Sequence, residues 1–201
     1  MNIAVLSLLV LMTIVMSLFE HRISNKNRWR LFFIVGLFFC FVFANRDIYL
    51  SRDTAEYYYI WNKADISDGF FTRIERFEGG YCFLNRIIQL LFGSFRMFLF
   101  FVSFIELEVA YFILRKASVT YSLNQIFPLS FLCLLMPYFG ILYSAIAMRA
   151  GLAIAFVYLS VIFIKGKHYA KAIVSFLISF SFHQSSVFAI PLLAMEFVSF
   201  K

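Results

Sequence analysis

The stretch YSAIAMRAGLAIAFVYLSVIFI, residues 143–164, is apolar from end to end apart from one guanidinium, Arg149. It is long enough to cross a bilayer as a helix, which takes about 20 apolar residues. An arginine at the centre of a bilayer costs roughly 2.5–3.5 kcal/mol on insertion scales. A chain that keeps one in such a segment must give it a route to water or a partner. Two readings follow for Arg149. It snorkels to the headgroups and anchors the helix, or it turns inward, where its planar fork suits a phosphate or carboxylate. Ala145, Ala147, Ala150, Gly151, Ala153 and Ala155 make this a small-residue helix that can pack closely against neighbours, which favours the inward reading.

The rest of the chain has the same character. Its 201 residues are 63% hydrophobic and 14% charged, against about 25% charged in soluble domains, and its mean hydropathy is +0.86. The expected fold is therefore all-α: a polytopic integral membrane helical bundle of about six or seven spans, forming a single domain over residues 1–201. Apolar runs occupy residues 3–19, 29–44, 97–114, 126–143 and 144–164. After the basic link KGKHYAK come 172–182 and 187–200, either two short helices broken near FHQSS or one longer span. Residues 81–92, YCFLNRIIQLLF, are too short for a span and carry Arg86, which suits an interfacial or re-entrant helix. The N-terminal run lacks a basic n-region and a cleavage pattern, and it is read as a retained span.

The net charge of +7 does not point to nucleic acid, because the basic residues sit at the ends of apolar runs, where they set topology. Arg22, Lys26, Arg28 and Arg30 place the first link in the cytoplasm and the N-terminus outside. Arg115 and Lys116, then Lys165, Lys167 and Lys171, fall on the cytoplasmic side under the same assignment. The stretch 45–80, with more acids than bases, becomes a polar outer loop. Arg149 and His183 then both lie near the outer surface, beneath that loop. Cys40, Cys82 and Cys133 form no metal-ligand or disulfide pattern. No metal or cofactor is expected, and no Walker, dinucleotide, HExxH or nucleophile-elbow motif is present.

Each polar feature carries a bland reading beside a functional one. His183 in SFSFHQSSVF is a helix-end histidine satisfied by carbonyls, or a general base whose ordinary pKa lies near working pH. In the outer loop, Arg46, Asp47, Arg52, Asp53 and Glu56 alternate in sign ahead of Tyr57, Tyr58, Tyr59 and Trp61. That is an amphipathic segment with a headgroup-level aromatic belt, or a sugar-binding surface. FEGGY joins Glu78 to two glycines that permit a tight turn. Glu106 and Glu108, within the 97–114 run, mark a proton or ion path or a structural hydrogen bond.

In their order, these pieces resemble the EpsG-like membrane proteins, a branch of the Wzy-type polysaccharide polymerases. SRDTAEYYY follows the second span, EGGY spans Glu78–Tyr81, AMRAGLAIAF places an arginine at the head of an alanine-rich helix, and FHQSS follows. The resemblance covers about Arg46 to Val187. Two departures stand out. Ala150 replaces a frequent glutamine, and family members usually continue with further spans, so the chain is expected to be a shortened or truncated member, the N-terminal part of a longer family fold. The resemblance implies a glycosyltransferase of the bacterial cytoplasmic membrane. It would polymerise undecaprenyl-diphosphate-linked oligosaccharide repeat units into O-antigen, capsule or exopolysaccharide at the outer face, alongside flippase and chain-length regulator proteins. Arg149 with Arg46 or Arg52 would hold the diphosphate, and His183 or Glu78 would be the base. Asp53, Tyr57, Tyr58, Trp61 and Tyr81 would line the glycan groove. The rival classes are a transporter or flippase of lipid-linked sugars, which Glu106 and Glu108 would serve, and an inactive fragment.

Overall fold

A computed structural model describes residues 3–49, 51–64, 69–74, 76–120, 127–135 and 147–198. The described residues form helices with no strand. In chain order these are α1 (Ile3–Leu18), a 3-10 turn at Glu20–Arg22, α2 (Asn25–Ala44), α3 (Arg52–Lys63), α4 (Gly79–Phe92), α5 (Phe95–Thr120), α6 (Pro128–Leu135), α7 (Met148–Lys165), α8 (Tyr169–Phe182), a 3-10 turn at Gln184–Ala189, and α9 (Ile190–Val198). The stretches Asn25–Ala44, Phe95–Val119 and Met148–Lys165 are long and apolar enough to cross a membrane, and Ala4–Leu18, Tyr169–Phe182 and Gln184–Val198 are shorter apolar helices. The chain is an all-α membrane bundle. Half of the run expected at 126–143, including 136–143, lies outside the described residues.

α2 shows how such helices pack. Phe32, Gly36, Phe39, Cys40 and Phe43 recur on one buried stripe, while the equally apolar Ile34, Phe38 and Phe41 stand 50–62% exposed on the other side. An apolar residue on an outward face is at home in lipid, so hydrophobicity does not distinguish the two faces here; the buried one is marked by the small Gly36 and Cys40 set among its phenylalanines. At Gly36 the backbone of α2 approaches α5 so closely that a Cβ would lie 2.4 Å from Leu107 Cδ1. The buried stripe joins Leu6, Leu107, Leu129 and Leu132 in one core formed by α1, α2, α5 and α6.

A second core lies toward the other end of the bundle and is rich in aromatic residues. Tyr57 and Trp61 of α3, Phe77, Tyr81 of α4, Phe95 and Phe98 of α5, Met148 and Leu152 of α7, and Phe182 of α8 share it. The 45–80 stretch, read from sequence as a loop, contributes α3. Ser51 caps that helix by accepting from the Thr54 amide at 3.1 Å. Thr54, Tyr57, Ile60 and Trp61 then fall on one buried face. Arg86 of α4, fully buried, donates to the carbonyls of Thr72 (2.6 Å) and Phe70 (3.2 Å), tying the strap ahead of α4 onto that helix.

The helices sort the charges to two ends. At one, Arg46 follows α2 and touches Met148 at the head of α7; this is the Met148 end. At the other, Trp29 of α2 meets Tyr111 of α5, Phe112 meets Phe163, and Lys165 pairs with Glu196 of α9 at 3.3 Å; this is the Lys165 end. Residues 169–198 settle into a hairpin. α8 runs back along α7, and the chain turns at His183 and returns through α9, whose Phe197 packs on Tyr169. FHQSS thus separates two short helices. The turn between α7 and α8 closes with Lys167 in the left-handed region (φ 58°), its amide on Ile164 O and that of His168 on Phe163 O.

Candidate functional site

Three segments far apart in sequence meet at the Met148 end. Glu78 occupies the cap position ahead of α4 but caps nothing there, so its carboxylate is free to reach across the bundle. Oε2 accepts from Arg149 Nη1 at 2.6 Å, and Oε1 lies 3.2 Å from both His183 Nδ1 and the Gln184 amide. One carboxylate therefore bridges the first turn of α7 and the turn after α8.

The approach is possible because of Gly80. A Cβ at that position would lie 2.3 Å from Ser181 Oγ and 2.8 Å from the Ser181 carbonyl. Only a glycine allows the start of α4 to lie against the end of α8. From the other side, a chain of serines fixes the turn. Ser179, fully buried, donates to Ala153 O at 2.7 Å and shares a 2.7 Å contact with Ser186, whose hydroxyl reaches His183 O at 2.8 Å. Ala153 stands one helical turn beyond Arg149, so the arginine and the histidine are referenced to the same stretch of α7.

The side chains of Glu78, Arg149 and His183 are 8%, 15% and 32% exposed, so the histidine is the most open of the three. The Arg149 guanidinium sits 4.1 Å from the Phe77 ring centroid, a cation over an aromatic face. It does not snorkel outward; its charge is compensated within the protein. Glu78 is held below its usual carboxylate range. Burial, the largest single influence, pushes it up, but the Gln184 and Glu78 amides, Arg149 and His183 together outweigh it. An ionised carboxylate only accepts hydrogen bonds. His183 Nδ1 must therefore carry the proton when it bonds Glu78, which leaves the Nε2 lone pair free in the neutral imidazole. No described residue hydrogen-bonds Nε2, and buried Arg149 Nε likewise has no partner among the described residues. The arrangement can orient an imidazole, accept a proton at Nε2 and donate to an anion from unused guanidinium N–H groups.

Of the other residues singled out in the sequence, Tyr57 belongs to the site. Its hydroxyl faces Arg149, and burial above all keeps its pKa raised and the phenol neutral. Asp53 stands one turn before it on α3. Arg46 lies beneath the site, only 2% exposed, donating to Phe43 O at 2.9 Å and to Met148 Sδ at 3.2 Å. Burial pulls its pKa down to about 10, and it remains charged. Arg52 is exposed in the first turn of α3. Trp61 and Tyr81 are core residues: Trp61 packs on Phe95 and Phe98, and fully buried Tyr81 on Tyr57, Phe77 and Phe98. Tyr58 rests partly buried on Phe95. These rings form a floor under the site, because an aromatic face suited to a sugar is equally suited to another ring. Gln184 and Ser186 belong to the polar run after His183 that reads in the sequence as a solvated pocket edge, whereas the Phe77 ring and Ser179 were not among the expected site residues. Phe77 and Gln184 each adjoin a residue that was.

No group of three or more potential metal ligands occurs among the described residues. A model of the EpsG family matches residues 29–201 of the chain. No curated protein and no solved structure matches it.

Proposed function

The chain belongs to the EpsG family and is thus a membrane protein with a polymerase-like role in polysaccharide biosynthesis; from that premise we propose that it joins lipid-linked oligosaccharide repeat units by glycosyl transfer at the Glu78–Arg149–His183 site. The observation that carries the proposal is the double engagement of Glu78, which orients a histidine and positions an arginine with one carboxylate. The donor is a glycan on undecaprenyl diphosphate, and the acceptor is a hydroxyl of a second lipid-linked repeat unit. His183 Nε2 takes the proton of that hydroxyl as its oxygen attacks the anomeric carbon of the donor. The bond from that carbon to the diphosphate oxygen breaks, and its electron pair leaves with the diphosphate. Arg149 offers its remaining N–H groups to the negative charge as it develops. Glu78, at first one of two candidates for the base, is better suited to orienting His183, since it is ionised and already committed to three donors. The Met148 end faces outward from the bacterial cytoplasmic membrane, with the N-terminus on the same side.

The test is a surface-polysaccharide gel from a polymerase-deficient host of matching glycan type. The wild-type chain should restore a ladder of long chains, and His183→Ala or Arg149→Ala at equal membrane levels should abolish it. A ladder that survives His183→Ala removes the base assignment. Accumulation of lipid-linked substrate on the cytoplasmic side would instead mark a transporter.

A further inference from the structure

At the Lys165 end, a groove of about 480 Å³ lies between α2 and α5, lined by Lys26, Trp29, Arg30, Phe33, Ile34, Tyr111 and Arg115. Its volume is that of a small-molecule site. Three cations converge on it and no carboxylate lines it. Among the described residues, Lys26, Arg30 and Arg115 form no ion pair. The two acids at this end are engaged elsewhere: Glu196 holds Lys165, and Glu20 is fully buried against the start of α6. Basic residues that only set topology need no shared cavity. These share one.

The order of residues along the groove identifies its occupant. Lys26, Arg30 and Ile34 follow one another at four-residue spacing on a single face of α2, with Phe33 beside Ile34. At 1.5 Å per residue the apolar pair lies about 6 Å deeper than Arg30. On α5, Tyr111 lies one turn deeper than Arg115, whose guanidinium is 5.3 Å from the Trp29 ring and 5.8 Å from the Tyr111 ring. The α2 wall thus runs from Lys26 and Arg30 at the rim to Phe33 and Ile34, which is 50% exposed, and the α5 wall from Arg115 to the Tyr111 ring. A soluble anion would use only the rim, and an acidic peptide would gain nothing from the apolar depth. An amphiphile with an anionic head matches the whole gradient. We infer that this groove binds the phosphodiester headgroup of an anionic phospholipid in the leaflet that the Lys165 end faces, with the first acyl carbons lying along Phe33 and Ile34.

Trp29 lines the groove, and the chain's second tryptophan, Trp61, is buried in the opposite core. The full chain carrying Trp61→Phe therefore reports the groove by its fluorescence. It is reconstituted in vesicles of phosphatidylcholine with increasing fractions of either dibrominated phosphatidylglycerol or dibrominated phosphatidylcholine. Trp29 should be half-quenched at a mole fraction of the anionic lipid at least about fivefold lower, the worth of one near-surface cation. Lys26→Gln/Arg30→Gln/Arg115→Gln should bring the two lipids level. Lys165→Gln/Lys167→Gln/Lys171→Gln, which removes the same charge outside the groove, should leave the preference in place. Equal quenching in the parent, or equal loss in both triple variants, overturns the inference. So does a preference that millimolar glycerol phosphate in the buffer abolishes, since that places the anion in solution. Native mass spectrometry of the unsubstituted chain checks the result without Trp61→Phe. Retained phosphatidylglycerol supports the site, and its absence overturns it.

Discussion

Among the described residues, the two ends of the bundle differ in whether their arginines meet carboxylates. At the Met148 end, Arg149 is paired with Glu78, Arg76 with Glu56, and buried Arg46 and Arg86 are tied to backbone carbonyls. At the Lys165 end, Arg30, Arg115 and Lys26 face a groove with no acid in it. A cation inside the bundle needs a partner from the chain, because unpaired burial costs several kcal/mol. A cation at the membrane surface needs none, because water, lipid phosphate and an aromatic face are all within reach. Each end has both kinds, since Arg28 is buried on the Ile23 carbonyl at the Lys165 end and Arg52 is exposed at the other; the position of the carboxylates is what marks the built site.

The sharpest way to break that contrast is to remove Glu78. Glu78→Ala strands Arg149 and should destabilise the protein by about 3 kcal/mol, the lower range for an orphaned buried charge. Thermal unfolding in detergent measures it. Arg149→Met in the same background should recover part of the loss, with a coupling of about 1 kcal/mol or more. Strict additivity would show that Arg149 was never dependent on Glu78. A pH titration makes the same point. A carboxyl whose native pKa is depressed adds stability that is fully present above its ordinary value of 4.5 and is lost as pH falls through the lower native value. Wild type should lose stability in that acid window more steeply than Glu78→Gln.

Next in size is Glu20, the buried acid of the otherwise basic end. It reaches 109 residues along the chain to accept from the Leu129 amide at 2.8 Å, and from the Ser130 amide and hydroxyl at 2.9 Å. It thus caps the first turn of α6 from a different helix, where an anion also meets the positive end of the dipole. Glu20→Ala should cost about 1–3 kcal/mol, while Glu20→Gln, which retains one acceptor, should cost less. Equal losses would make charge, rather than hydrogen bonding, the reason for the residue. Smaller again, at about 1 kcal/mol, is Ser179→Ala. Because Ser179 ties the His183 turn to α7, polymer chain length should fall by more than that small loss of stability explains.

The apolar spans were legible in the sequence because charges bound them, and so was the separation of charged residues to two ends. Within the 45–80 stretch, alternating charges masked α3, although Ser51 and the spacing of Thr54, Tyr57 and Trp61 already encode a capped amphipathic helix. Glu78, Arg149 and His183 were each legible as costly polar residues. Their mutual contacts were not, since 71 and 105 residues separate Glu78 from its two partners and no local periodicity spans such distances. Arg46 and Arg52 look equivalent in sequence as companions of Arg149; packing against Met148 puts Arg46 beneath the site and leaves Arg52 exposed on α3. The role of Glu20 is not legible in the sequence, because a cap that a side chain supplies to a distant helix leaves no local mark.

The smallest effect tests the same contrast from its weak side. Lys165 and Glu196 lie 3.3 Å apart with side chains 19% and 23% exposed, at the end where, among the described residues, no other cation is paired with an acid. If location near the surface decides the worth of a pair, Glu196→Gln should cost about 0.2–1 kcal/mol and should weaken further as salt rises. Glu78→Gln, in the same salt series, should keep most of its cost, since a pair with little access to solvent is little screened. The ratio of the two losses as ionic strength increases is then a direct measure of how different the two ends are. Parallel salt dependence would mean that the Arg149 pair is as open to water as the Lys165 pair, and the Met148 end would have no claim to a sheltered site.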